Sequence, residues 1–430
     1  MIFFGKENSN RMHLYIKKFG KPVRSQKWLI TILMILELQY FNLVEIKALD
    51  NYNTVSNKML MMCIILLYVL FNYVLRRNYK LKHNSVSFIN LAMFMVTLLI
   101  AVQALYTMPK YNETFVDIIR ATGHLFMLAL AYALIDIYLL EDSINGALNL
   151  ISNITFVSML LYLANAIVNN FTGISLLIVK VVQIRNGRPR ITMPVMSTFM
   201  ILYEWFEFLN DDRRNKRKHF VYVLIGLAGL FYVDMTRMLQ ISVIVSMVAI
   251  YFFRKNHTKN QLLFAIALIG ILILIVNTDY FSGFLDSFSL TGSQGDSTSA
   301  RLNAIAYFSE FTKDNLFLGM GMVRPYRQDL YNIYFGPIGT YNCLDDIGIF
   351  GLFFYYGLFG LILYIMLLLR WGWILIHVKN NCAYSLLVGL FVFALATSPS
   401  LIITNSQRSL LIPIFTSVFE FAYYQVRVNK

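Results

Sequence analysis

The chain is a succession of apolar runs separated by short polar punctuation. The runs fall at approximately 28–46, 59–75, 86–108, 115–139, 148–169, 192–210, 219–235, 237–253, 261–278, 345–369, 382–399 and 409–424. Each approaches or reaches the roughly 17–25 residues that a spanning helix needs. The stretch 219–253 is too long for one crossing at about 1.5 Å per residue, and its polar interruption Asp234-Met235-Thr236-Arg237 is the natural hairpin point. One long stretch breaks the rhythm, 279–344, rich in Arg, Asp and Tyr. A polar loop of that length between spanning helices implies that function holds it there. The pattern predicts an all-α polytopic protein of about 12 transmembrane helices. It forms a single integral-membrane domain over 1–430, with 279–344 as one large extracytoplasmic loop within it.

Composition agrees: 58% of residues are hydrophobic and only 14% are charged, whereas a soluble domain carries about 25% charged residues. A basic segment with Lys17, Lys18, Lys21, Arg24 and Lys27 precedes the first run, without the small-residue site of a cleavable signal. The net charge of +14 is explained by the positive-inside rule and gives no reason to expect a nucleic-acid partner. Placing the N-terminus in the cytoplasm gathers that arm, Arg76-Arg77, Lys80, Arg213-Arg214, Lys218, Arg254-Lys255, Arg427 and Lys430 on one side. Both termini are then cytoplasmic and 279–344 lies outside. Cys63, Cys343 and Cys382 form neither a CxxC nor a disulfide framework. No internal repeat is visible, which disfavours an inverted-repeat transporter.

This topology makes the remaining basic residues informative. The outer face collects Lys180, Arg185, Arg188 and Arg190 before the sixth run, and Arg237 at the hairpin tip. It also holds Arg301, Arg324 and Arg327 in the long loop, Arg408 before the last run, and Arg120 toward the outer end of the fourth. Arg prevails over Lys, and its planar fork binds phosphate oxygens bidentately while keeping its charge when desolvated. A lipid-linked phosphate or pyrophosphate suits such a cluster, although any one of these residues can simply pair with a carboxylate or a lipid headgroup. Asp117, Arg120 and His124 are spaced to share a helix face, and an internal Asp117–Arg120 pair is the plainer account of them. Glu37, Asp136, Glu204 and Glu207 are further ionisable residues within apolar runs.

Only His124 reaches the outer half of the membrane, so no multi-histidine metal site and no loop histidine is on offer as a base. Neither a Walker loop, nor GxGxxG, nor GxSxG is present. Carboxylates remain as candidate bases: Asp345 and Asp346 at the start of the tenth run, Asp234 at the hairpin, and Asp296 ahead of Arg301. Adjacent Asp residues at a helix start can equally serve as caps. Tyr326, Tyr331, Tyr334, Phe335 and Tyr341 suit interfacial anchoring or stacking against sugar rings.

At these residues the chain resembles the O-antigen polymerase/ligase family, integral-membrane glycosyltransferases of the GT-C type. Asp234-Met235-Thr236-Arg237 occupies the place of the family's S-x-R-like hairpin, and Ser299-Ala300-Arg301-Leu302 matches its S-x-R-L start of the large loop. Asn315-Leu316-Phe317-Leu318-Gly319-Met320-Gly321 corresponds to a PLFGVG-like turn without its proline. Tyr341-Asn342-Cys343-Leu344 with Gly348-Ile349-Phe350-Gly351 corresponds to the loop-closing HN…L…GxxG motif, with Tyr where ligases carry His. Arg185–Arg190 resembles the family's Arg-rich earlier loop. The resemblance covers about residues 180–370 and, lacking the His, favours a polymerase.

It implies transfer of a growing glycan from undecaprenyl pyrophosphate to another lipid-linked unit, building O-antigen, capsule or exopolysaccharide at the bacterial cytoplasmic membrane. No metal, nucleotide sugar or other cofactor is implied. The implied partners are lipid-linked oligosaccharides, membrane lipids and a chain-length regulator. Arg120, Arg185, Arg188, Arg190, Arg237, Arg301 and Arg324 are then the pyrophosphate-binding set, Asp345, Asp346 and Asp234 the catalytic candidates, and Tyr331, Tyr334 and Tyr341 the glycan-binding set. A ligase, an oligosaccharide flippase and a non-enzymatic scaffold of polysaccharide assembly are the competing readings.

Overall fold

Apolar helices account for almost all the ordered secondary structure in the computed structural model. It describes residues 22–38, 40, 54–71, 84–174, 177, 181–185, 188–191, 193–210, 215–254, 295–323, 333, 344–399 and 408–428. In chain order the helices are α1 (Pro22–Glu37), α2 (Thr54–Val69), α3 (Asn84–Tyr111), α4 (Phe115–Thr122), α5 (Leu130–Glu141) and α6 (Asn145–Thr172). There follow α7 (Met196–Asn210), α8 (Lys216–Ala228), α9 (Arg237–Phe252), α10 (Gly295–Thr312), α11 (Gly348–His377), α12 (Tyr384–Thr397) and α13 (Leu411–Val428). A 3-10 segment, Gly123–Ala129, joins α4 to α5, and a π turn, Gly229–Asp234, extends α8. The fold is helical, as expected; between α6 and α7, β1 (Val181–Arg185) and β2 (Arg188–Ile191) add a short antiparallel ribbon.

Among the described residues four segments are long and apolar enough to cross a bilayer: Ser87–Tyr111, Phe115–Glu141, Asn145–Thr172 and Gly348–His377. Asn57–Val69, Arg237–Phe252 and Tyr384–Thr397 are shorter apolar helices. This is a helical membrane protein. The expected run at 261–278 lies outside the described residues.

Polar contacts show which helix ends share a level. At one end, Lys58 of α2 pairs with Glu37 at the close of α1 and reaches Ser409 just before α13. The Ile349 N–H donates to the Ser398 carbonyl (2.9 Å), tying the start of α11 to the end of α12. At the other end, Lys27 of α1 pairs with Glu141 closing α5. There Asn381, between α11 and α12, donates to Gln425 of α13 (3.1 Å). The alternation of ends is that of antiparallel neighbours. The ribbon and α10 lie at the first level, here called the ribbon end.

Aromatic rings fill the centre. Trp371 of α11 stacks on Phe419 (5.4 Å between centroids), and Phe415 meets both Trp371 (5.9 Å) and Phe199 of α7 (6.4 Å). Two buried carboxylates inside the bundle are paired. Arg370 donates two 2.7 Å hydrogen bonds to fully buried Glu420 and lies among the rings of Phe88, Trp373 and Tyr423. Buried Glu204 accepts from Ser152 and lies 2.5 Å from His219 Nδ1. Because the hydroxyl meets the carboxylate and not the imidazole, this trio lacks the order of a nucleophile–base relay.

Candidate functional site at the ribbon end

The ribbon follows from its sequence. Asn186-Gly187 is a favoured two-residue hairpin turn, and the flanking residues alternate apolar with basic or amide. The register pairs Arg185 with Arg188, Ile184 with Pro189, and Gln183 with Arg190. Alternation along each strand therefore puts the positions of Arg185, Arg188 and Arg190 on one face, and those of Ile184, Pro189 and Ile191 on the other. Ile191 is buried, and β2 packs against α6 and the π turn.

That π turn is a second local anomaly. Ala228 and Gly229 still have helical backbone angles, but the chain then widens and ends on Met235, whose φ of 53° is left-handed in a residue with a side chain. The Met235 N–H and the Gln240 side chain both donate to the Leu230 carbonyl, at 3.1 and 3.2 Å. A π turn and a left-handed non-glycine each cost free energy and concentrate at functional sites. They deliver Asp234, only 2% exposed, whose Oδ1 accepts from Thr236 at 2.8 Å. Arg237, partly buried, opens α9 three residues later. Asp234, Arg237 and the ribbon arginines thus belong to elements in contact.

Arg301 and the Asp345–Asp346 pair meet elsewhere. Ser299-Ala300-Arg301-Leu302 lies inside α10, not at a loop opening, because Ala304, Phe308 and Thr312 give that helix a buried stripe. α10 packs on α11 and on the 3-10 turn Leu344–Ile347, which holds Asp345 and exposed Asp346. In α10, burial pushes the Tyr307 hydroxyl above its usual range.

The segment after α10 is wedged into a break in α11. Gly357 has φ 66° and ψ −161°, which interrupts the helix. The freed backbone groups bind the turn Asn315–Val323: Leu358 N–H to Leu316 O (2.9 Å), Met320 N–H to Phe354 O (2.8 Å), and Phe359 N–H to Phe317 O (3.4 Å). One buried amide, Gln103 of α3, donates to Leu318 O (2.7 Å) and Tyr356 O (3.2 Å), and Thr107 accepts the Met322 N–H (3.0 Å). Gln103 lies eight residues before Tyr111 at the helix end, about 12 Å along the axis. The turn Asn315–Val323 is therefore a wedge in the helix break, and its glycines are needed for close approach: a Cβ on Gly319 would lie 2.6 Å from Phe354 O.

Arg120 stands apart. It is half-exposed and 3.8 Å from Asp117, which in turn forms a capping box with Thr114 at the start of α4. The plain ion-pair and cap reading therefore accounts for Asp117. Arg408 is buried, on the turn before α13. Arg324, Tyr331, Tyr334 and Tyr341 lie outside the described residues. Sequence reasoning passed over Lys110, exposed at the ribbon end of α3, where its Nζ meets Tyr106 OH at 2.6 Å and lies over the Tyr106 and Tyr111 rings. Its position at the close of an apolar run, behind Tyr106 and before Tyr111, was the available signal.

At the ribbon end, then, a strand pair whose sequence carries three arginines packs against a strained turn bearing a buried carboxylate. Such a site can bind a phosphate-bearing headgroup and take up a proton beside it. Comparison with protein-family models gives no match, and comparison with the curated proteins gives none.

Proposed function

We propose that the chain polymerises lipid-linked oligosaccharide repeat units at the outer face of a bacterial cytoplasmic membrane, as an integral glycosyltransferase of about 12 crossings. The observation that carries this reading is the packing of the arginine-bearing ribbon on the π turn that ends at buried Asp234. The distribution of Lys and Arg supports placing that end outside and both termini in the cytoplasm.

Transfer breaks the bond between the donor's anomeric carbon and its pyrophosphate oxygen, and forms one to the acceptor hydroxyl. Arg185, Arg188, Arg190 and Arg237 would neutralise charge developing on the departing pyrophosphate. Asp234 would receive the acceptor proton, a role that suits a buried carboxylate better than exposed Asp346. Arg301 with Asp345 and Asp346 would then hold the acceptor or the growing chain. A ligase would use the same site with another acceptor.

A flippase is the second reading. It is favoured by buried Ser152, Thr155, Ser158 and Asn165 along α6, a polar stripe that runs much of the span. Cells carrying Arg188→Lys or Asp234→Asn decide between the two. Polymerisation requires that either variant display single repeat units in place of long polymer, with normal membrane levels. Transport requires that exported units of every length fall together. Full-length polymer from both variants removes the proposed site.

A further inference from the structure

At the opposite end of the bundle a cavity of about 490 Å3 opens between four helix termini. Its walls come from the turn between α5 and α6, the end of α7, the turn between α11 and α12, and α13. The volume lies in the range of small-molecule sites, about 300–1,000 Å3. None of the described residues lining it is basic, and two, Asp142 and Glu207, are acidic, in a chain whose net charge is +14. Four carboxamides converge there: Asn145, Asn210, Asn381 and Gln425. Rings of Phe253, Phe421 and Tyr384 complete the wall.

We infer that this cavity binds a neutral saccharide of one or two rings, at a site separate from the ribbon-end site. A phosphate or nucleotide would face two carboxylates with no lining cation among the described residues. A lipid chain would lay apolar surface against two carboxylates and against the hydrogen-bonding capacity that the carboxamides keep beyond their own contacts. An amine would satisfy the carboxylates but occupy few of the amides. A polyol uses both, since each hydroxyl donates to one oxygen and accepts from an amide N–H, while its C–H faces rest on the rings. The inference does not depend on the proposed polymerase, because the two sites lie at opposite ends of α7, roughly 20 Å apart at about 1.5 Å per residue.

Cys382, exposed in the cavity wall, reports occupancy. The full chain carrying Cys63→Ser and Cys343→Ser is purified in detergent, and Cys382 alkylation by a maleimide is timed. Probes are glucose, galactose, N-acetylglucosamine and maltose, with spermidine and inorganic pyrophosphate in parallel. At about ten times its Kd, a bound sugar slows alkylation about tenfold by mass action. At least one sugar should do so saturably, and Asn210→Leu should shift the midpoint to higher concentration. Among the described residues Asn210 bonds within its own helix, to Phe206 O (2.9 Å), so this variant keeps the fold. A chain with Cys63 as its sole thiol should show no protection. Failure of all four sugars to protect Cys382, or protection by spermidine or pyrophosphate alone, overturns the inference.

Discussion

Replacing Gly357 by Ala should expel the wedged turn from α11. The backbone there combines φ 66° with ψ −161°, a region open essentially to glycine and costing other residues about 1–3 kcal/mol. The new methyl would also collide with the Phe317 carbonyl and approach Gly319 N to 2.6 Å. These contacts are backbone, so no side-chain rotation relieves them. Either the helix break straightens or the turn withdraws, and both outcomes sacrifice the three main-chain hydrogen bonds across the break. At about 0.5–1.5 kcal/mol each, these bonds and the backbone strain together make a loss of roughly 3–6 kcal/mol.

The readout is the reactivity of a cysteine at Met320, which is fully buried in the wedge. Met320→Cys should label slowly alone and at least a hundredfold faster with Gly357→Ala, since about 1.4 kcal/mol shifts the open population tenfold. Gly372→Ala is the control: it lies later in the same helix, and its nearest neighbour, Phe391, is at 3.6 Å. That control should leave labelling unchanged and raise stability slightly, since Ala exceeds Gly in helix propensity by about 1 kcal/mol. Equal labelling of Met320→Cys with and without Gly357→Ala would refute the wedge.

Three further outcomes are expected. Arg370→Met should lower thermal stability in detergent by about 3–5 kcal/mol because it strands buried Glu420, and adding Glu420→Leu should restore most of the loss; equal melting of wild type and the single variant would show the pair to be dispensable. Met235→Gly should raise the melting temperature by relieving about 1 kcal/mol of left-handed strain, and a fall would place the Met235 side chain among the supports of the π turn. Native Cys382 should react with an impermeant maleimide in inside-out vesicles and not in intact cells, the reverse result inverting the orientation.

Much of the helical framework was legible in the hydropathy, because lipid-grade runs leave little choice. The expected hairpin at Asp234–Arg237 is where the π turn ends and α9 begins, and the runs at 148–169 and 382–399 match α6 and α12 to within about three residues. The ribbon was missed although Asn186-Gly187 between alternating residues signalled it, since the segment was weighed only for charge. The wedge could not be foreseen in this way. Hydropathy runs unbroken through Gly357, and the partners of the turn, Gln103 and Thr107, lie more than 200 residues away in sequence. Glu204 stood out only as an ionisable residue within an apolar run, and its contact with His219 depends on how α7 and α8 pair. The polar stripe of α6 was not legible either, since only packing distinguishes a buried stripe from a lipid-facing one.

The central claim is that this chain alone extends lipid-linked glycans. Purified full-length protein, supplied only with undecaprenyl-pyrophosphate-linked repeat units and a chelator, should convert them into a ladder of longer products without nucleotide sugar. The ladder should vanish with Asp234→Asn and with Arg188→Lys, while both variants melt like the parent. A correctly folded protein that leaves the units unextended, or that extends them only when a different acceptor is added, contradicts the account.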